Sequence, residues 1–327
     1  MLRRAHLLFA GLCAALVAQP ARPPRGGGSG GPPPGWGGGW GNENDLGGSL
    51  VRTEGSGVID EDQVKTAREV ASHSTGTPMW DNPRGFEKDV FTFARAIFKV
   101  GPNSAPGYGR GRRLGWWVDF PDADLNLSYR LQQMTSMRTD PDGRVLKLTN
   151  PDIHNYPFLL MEHPGYMMLK EPEVAGLRKY LLAGGVLAVI DFWNSTEWAG
   201  FAAQMKKVLP EREWTELTFD HPLFHCVFDL KGPMQSIQVP TMQFWNRNHD
   251  PKNPDSPIQI DRGEGSQKVS VRTLNDDKGR IMAIAFHNTD ITDGWEREGE
   301  QPDYFAVFSE RVSYPIGVNL IFYLMTH

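Results

Sequence analysis

The chain has 327 residues, with 34 Lys and Arg against 39 Asp and Glu, for a net charge of −5. That balance offers no general attraction to a phosphate backbone or an anionic membrane surface, so no nucleic-acid partner is expected. Hydrophobic residues at 39% supply a core, and two cysteines exclude a disulfide-stapled scaffold.

Arg3 and Arg4 precede an apolar run from Leu7 to Val17, with small residues and Ala18 behind it. This is the pattern of a signal peptide over residues 1–18, and the run is too short to span a bilayer. The expectation is an exported protein, periplasmic or extracellular, with no transmembrane span after cleavage. Cys13 would leave with the signal. Cys226 then stands alone, and its neighbours Phe224, Val227 and Phe228 predict a buried, inert thiol.

Residues 20–49 hold twelve Gly and six Pro, too little apolar surface to offset the entropy of ordering. Residues 19–57 are therefore expected to form a disordered tether. Val58, Ile59, Val64, Ala67 and Val70 predict a short helix over 58–75, within a helical lead-in over 58–89. The remainder, 90–327, reads as one α/β domain. Phe91, Phe93, Ala94, Ile97 and Phe98 suggest its first strand, and Gly101 to Gly111 a loop. Trp116-Trp117-Val118 reads as a short strand. Pro121, Asp122 and Asp124 open a helix that carries Leu127, Leu131 and Met134. Val145–Leu148 and Phe158–Met161 are strands. A helix opens at Pro172 and closes at Gly184-Gly185. Val186–Ile190 is a strand, Phe201–Val208 a helix, Ile281–Phe286 a strand and Ile316–Met325 a final helix. Residues 230–275 suggest an insertion with a hairpin strand at Val269–Arg272. Buried strands alternating with helices imply a mainly parallel sheet covered on both faces.

In such a sheet, ligands bind beyond the carboxyl ends of the strands. Asp119 follows Trp116–Val118, Glu162 and His163 follow Phe158–Met161, Asp191 follows Ile190, and His287 and Asn288 follow Phe286. Asp119, Glu162, His163 and Asp191 are the candidate catalytic residues, and Asp119, Asp191 and His163 the candidate ligands of a divalent metal. His287, Asn288, Asp293 and Trp295 are candidate binding residues. Asp290, Asp293 and Glu296 lie in a Gly-containing turn of oxygen ligands that does not match the EF-hand spacing. His221 and His225 are four apart, but Pro222 argues against the helix that would align them. Trp193, Trp198 and Trp295 are the aromatic surfaces that a carbohydrate-binding module would need. Asn194-Ser195-Thr196 fits a glycosylation sequon.

Trp117-Val118-Asp119-Phe120-Pro121-Asp122-Ala123-Asp124-Leu125-Asn126 resembles the opening signature of a bacterial family, domain of unknown function 4159. Tyr156-Pro157-Phe158, Leu177-Arg178-Lys179-Tyr180-Leu181, Asp220-His221-Pro222-Leu223-Phe224, Asp293-Gly294-Trp295-Glu296 and Gly317-Val318-Asn319-Leu320 extend the resemblance across about residues 90–327. It implies a flavodoxin-like three-layer sandwich similar to class I glutamine amidotransferases, and a setting in the bacterial envelope. Those enzymes carry a cysteine on a tight strand-to-helix turn. The matching turn here, Met161-Glu162-His163-Pro164-Gly165, has no Cys or Ser, so thiol-dependent glutamine hydrolysis is not expected. The missing nucleophile and the tether favour a non-enzymatic binding or scaffold module, with envelope proteins or cell-wall glycan as partners. The alternatives are a metal- or carboxylate-dependent hydrolase of an envelope polymer or small ester, and a carbohydrate-binding module.

Overall fold

The computed structural model describes residues 49–52, 57–74, 76–85, 89–101 and 115–327. The expected signal peptide, most of the tether with Trp36 and Trp40, and most of the Gly101–Gly111 loop lie outside these residues.

Seven strands form one sheet: β3 (Ala94–Ile97), β4 (Arg144–Lys147), β5 (Phe158–Glu162), β6 (Val186–Phe192), β7 (Thr215–Glu216), β8 (Ser270–Asn275) and β9 (Ile281–His287). Their order is β4-β3-β5-β6-β9-β8-β7, and a separate two-stranded sheet pairs β1 (Leu50–Arg52) with β2 (Val58–Asp60). The first five strands of the large sheet are parallel, with Leu160 opposite Ala188 and Ala188 opposite Ile284. β8 and β7 extend the sheet antiparallel. The chain winds outward from β3 to β4, returns to the other side of β3, and then proceeds through β5, β6 and β9. The winding therefore reverses between β3 and β5.

β5, β6 and β9 are buried along their whole length, which is why they read as unbroken apolar runs. Successive side chains supply two cores. Leu159, Met161, Leu187 and Val189 pack with Leu177 and Leu181 of α2 (Glu171–Leu182) and with Phe201 and Met205 of α3 (Asn194–Val208). Phe158, Leu160, Ala188 and Ile190 pack on the opposite face. Their partners there are Leu127 and Leu131 of α1 (Asp122–Met134), together with residues of the later helices. Those helices are α4 (Met242–Asn248), α5 (Ile291–Glu296), α6 (Pro302–Tyr304) and α7 (Tyr314–Thr326), with a π-helical stretch Phe305–Ser313 joining the last two. The mixed α/β architecture is thus as expected, with helices on both faces.

Several local expectations are corrected. Residues 58–75 are not a helix. Val58–Asp60 is a strand, Ile59 lies opposite Val51 with both buried, and only Ala67–Glu69 winds, as a 3-10 turn. The β-branched pair at 58–59 prefers the extended form. Leu50–Arg52, placed in the tether, is the partner strand. Trp116–Val118 is a turn, because its carbonyls are drawn inward to one guanidinium rather than into a ladder. Of the expected strand Val269–Arg272, Ser270–Arg272 belong to β8, an integral strand of the main sheet rather than part of an insertion. Cys226 is exposed, not buried. Leu223 and Phe224 carry the burial of that segment, and the bend after them turns Cys226 and Val227 outward.

Candidate functional site

Five non-glycine residues among those described adopt positive φ: Asp119 (57°), His163 (54°), Asp191 (51°), Asn194 (58°) and Asn288 (66°). Such a residue costs of order 1–3 kcal/mol unless its surroundings hold it, and short polar side chains tolerate it best. All five sit where the chain leaves the carboxyl end of β3, β5, β6 or β9, and these four strands are consecutive in the sheet. The strand ends picked out in the sequence are therefore neighbours along one rim. Asp119 reaches that rim from the β3–α1 connection instead of from a strand of its own.

At the winding reversal, Arg95 of β3 is fully buried. Its Nε donates to both carboxylate oxygens of Asp124 at 3.0 Å. One terminal nitrogen donates to the carbonyls of Trp116 (3.0 Å) and Val118 (2.9 Å) and pairs with Glu162. One side chain thereby ties α1, the Trp116–Val118 turn and β5 together. Burial pushes the Glu162 carboxyl up to about 7, against the opposing pull of Arg95.

Asp119 is 4% exposed, and its Oδ2 has no hydrogen-bond partner among the described residues. Burial, followed by the charges of Glu296, Glu162, Asp290 and Asp293, holds its carboxyl well above the usual range. One oxygen each of Asp119, Asp293 and Glu296 lies within 4.8 Å of the others. The last two come from α5, which is a helix and not the expected turn. Asp290 caps it by accepting from the Asp293 amide at 3.0 Å. Asp293 accepts from Arg297 Nε (3.0 Å) and from the Met242 amide. Glu296 pairs with Arg297 (2.5 Å) and with His73 (2.5 Å), whose other nitrogen lies 2.7 Å from Asp122. Burial works against the His73 imidazolium, but Asp122 and Glu296 raise it to about 10. Burial, then Asp191 and Asp293, pushes Asp290 well above its usual range.

Further along the rim, Asp191 Oδ1 accepts from the Trp193 indole at 2.7 Å and lies 3.5 Å from Arg262, which stacks over that indole at 4.3 Å. His163 is 3% exposed, and neither ring nitrogen has a hydrogen-bond partner among the described residues. The buried Glu197 accepts from the Trp193 amide at 2.8 Å, and burial raises its carboxyl while the nearby His163 opposes the rise. Gly165 is required in the turn after His163, because a Cβ there would meet the Glu197 Cβ at 2.5 Å.

His287 and Asn288 brace the rim. His287 Nε2 lies 2.9 Å from the Asn194 carbonyl, and burial lowers the ring to about 4. Asn288 accepts from the Asn194 amide and donates to the carbonyls of Gly265 and Lys268. Trp295 is 1% exposed and donates to the Ser313 carbonyl at 2.7 Å, so it is a packing residue. Trp193 is buried as well, and Trp198 is stacked against Phe192 and covered by Arg272. None of the three presents a free ring to a sugar. His225 bonds Asp229 and the Phe219 carbonyl, while His221 caps a 3-10 turn, so the two do not converge. The Asn194 amide group is engaged with the Arg262 carbonyl at 3.0 Å.

The residues that sequence reasoning missed are His73, Arg95, Glu197 and Arg262, with Asp122 and Asp124 noticed only as helix-start acids. Arg95 left one signal, a lone cation inside the apolar run Phe93-Ala94-Arg95-Ala96-Ile97.

With this geometry in hand, comparison with known families is decisive on one point: the family described as a domain of unknown function (DUF4159) matches residues 108–325. The chain belongs to that family. No curated protein matches it. Asp119, Glu162, His163, Asp191 and all of α5 fall inside the matched span, while His73 and Arg95 precede it. Among the described residues, no helix is long and apolar enough to cross a membrane.

Proposed function

We propose that this protein is an exported binding module of the bacterial envelope that takes its ligand at the carboxyl rim of the sheet. The observation that carries the reading is the row of left-handed polar residues, four of the five buried, along the carboxyl rim that contains the winding reversal, the place where open α/β sheets bind ligands. Export rests on the arginine-led apolar run at residues 3–17. The order of the five parallel strands supports a flavodoxin-like fold. His163 occupies a strained strand-to-helix turn like that of a nucleophile, but an imidazole there does not support thiol chemistry. Cell-wall fragments and envelope proteins are the ligand classes to test. In a thermal-shift panel, a ligand at a hundred times its Kd stabilises by about 2.7 kcal/mol, roughly 5–10 °C for a domain of this size. The reading expects such a shift with an envelope ligand, lost in Asp191→Asn. An unmoved midpoint across cell-wall fragments and envelope extracts would overturn it.

One observation favours a second reading, a carboxylate-dependent hydrolase. Glu162, at about 7, is poised as a general acid near neutral pH. Ester hydrolysis abolished by Glu162→Gln with folding intact would support it. The same rate in both proteins would remove Glu162 from any such mechanism.

A further inference from the structure

We propose that Asp119, Asp293 and Glu296 form a site for one hard divalent cation, of the calcium or magnesium class, in the buried acidic chamber at the winding reversal. The proposal rests on the binding reading above and deepens it by naming a ligand at the same rim.

Three observations converge. Ligand oxygens of three buried carboxylates lie within 4.8 Å of one another. One of them, Asp119 Oδ2, is buried with no hydrogen-bond partner among the described residues, although an unpaired buried carboxylate is among the costliest groups a fold can hold. Its strongest charged neighbours, Glu296, Glu162, Asp290 and Asp293, are all acids. Arg297 reaches Asp293 and Glu296, His73 is divided between Asp122 and Glu296, Arg95 serves Asp124 and Glu162, and Arg262 approaches Asp191, so none of these cations is paired with Asp119. An ion among the three oxygens would remove the repulsion without protonating any of them.

The donor set selects the ion class. All three donors are carboxylate oxygens, with no thiol or imidazole among them, which suits a hard cation and not zinc or copper. Calcium binds oxygens at 2.3–2.6 Å, so oxygens on opposite sides of it stand roughly 4.6–5.2 Å apart, against about 4.0–4.2 Å for magnesium. Separations that all lie within 4.8 Å fall inside the span that one such ion bridges. The scaffold is also fixed: α5 is capped by Asp290, and Asp119 is held in its turn between the Arg95-bound carbonyls and α1.

The test is calorimetric titration of the chelator-treated full chain with calcium and, separately, magnesium, with the unfolding midpoint measured alongside. The expected result is one calcium site per chain. Affinity should fall at least tenfold in Asp119→Asn with an unchanged circular dichroism spectrum, and stay unchanged in Asp277→Asn, an exposed acid on the β8–β9 turn. If Asp119→Asn does not fold, Glu296→Gln takes its place. Tighter binding of magnesium with the same Asp119 dependence supports the site and assigns it to the smaller ion. A folded, chelator-treated chain that gives neither heat nor a midpoint shift with either ion overturns the proposal, as does wild-type affinity in Asp119→Asn. A flat titration beside an Asp191-dependent shift with an envelope ligand would remove the cation and leave the binding reading standing.

Discussion

The two ends of β9 hold acids of opposite character. At its amino end, the β8–β9 turn carries Asp276, partly buried, and Asp277, exposed. Burial acts most on Asp276 and raises it, but the Lys278 and Arg280 amides and the Arg280 guanidinium together hold it below its usual range, and Arg212 does the same for Asp277. At the carboxyl end, Asp290 is buried among Asp191 and Asp293, and Asp119 faces four acids, Glu296, Glu162, Asp290 and Asp293. The first pair lowers the free energy of a turn. The second group raises the free energy of the fold, which retains it only through partners such as Arg95 and His73. Acids that a fold must hold against their own repulsion point to a ligand, whereas acids that complete a turn do not.

The sharpest way to break this contrast is to remove the main counter-charge. Arg95→Met would leave Asp124 and Glu162 uncompensated in the core and is expected to cost about 3–5 kcal/mol, read by urea or thermal denaturation. Less severe is Gly165→Ala, which drives a methyl into Glu197 and is expected to cost about 1–3 kcal/mol in the same assay. Asp119→Asn should move the other way in chelator, stabilising the domain by on the order of 1 kcal/mol by removing a repelled charge. Asp276→Asn should weaken it slightly. The same sign for both variants would erase the distinction between the two ends.

The smallest effect is on pH dependence. The folded pKa of His73, about 10, lies above its unfolded value near 6.5. Its stabilisation is complete below pH 6.5 and is lost as pH rises toward 10, a loss that His73→Gln should abolish. His287 is depressed to about 4, so it withdraws stability as pH falls from 6.5 through 4. Midpoints measured from pH 4 to 10 should decline on both sides, and the part of the alkaline decline that His73→Gln removes is the part assigned to His73.

The layout of the fold was legible wherever burial alone decides it. β5, β6 and β9 are apolar from end to end, and the polar residue that stops each run, Glu162, Asp191 or His287, lies at the rim. Strand order was not legible, because it is set by pairings distant in sequence such as Arg95 opposite Leu160. Trp116-Trp117-Val118 misled because three large apolar residues fill a turn as readily as a strand. Cys226 misled because apolar neighbours in sequence do not fix the direction of a bend. The acidic site was half legible: Asp119 and Asp293 were visible singly, but their meeting depends on α1 packing beside α5, and His73 enters from a segment expected to be helical.

The most direct measurement compares the unfolding midpoints of wild type and Asp119→Asn, first in chelator and then in excess calcium. The account predicts a higher midpoint for the variant in chelator, and a calcium-induced rise of roughly 5–10 °C in wild type alone. A lower midpoint for the variant in chelator, with calcium moving both proteins equally or neither, would contradict it.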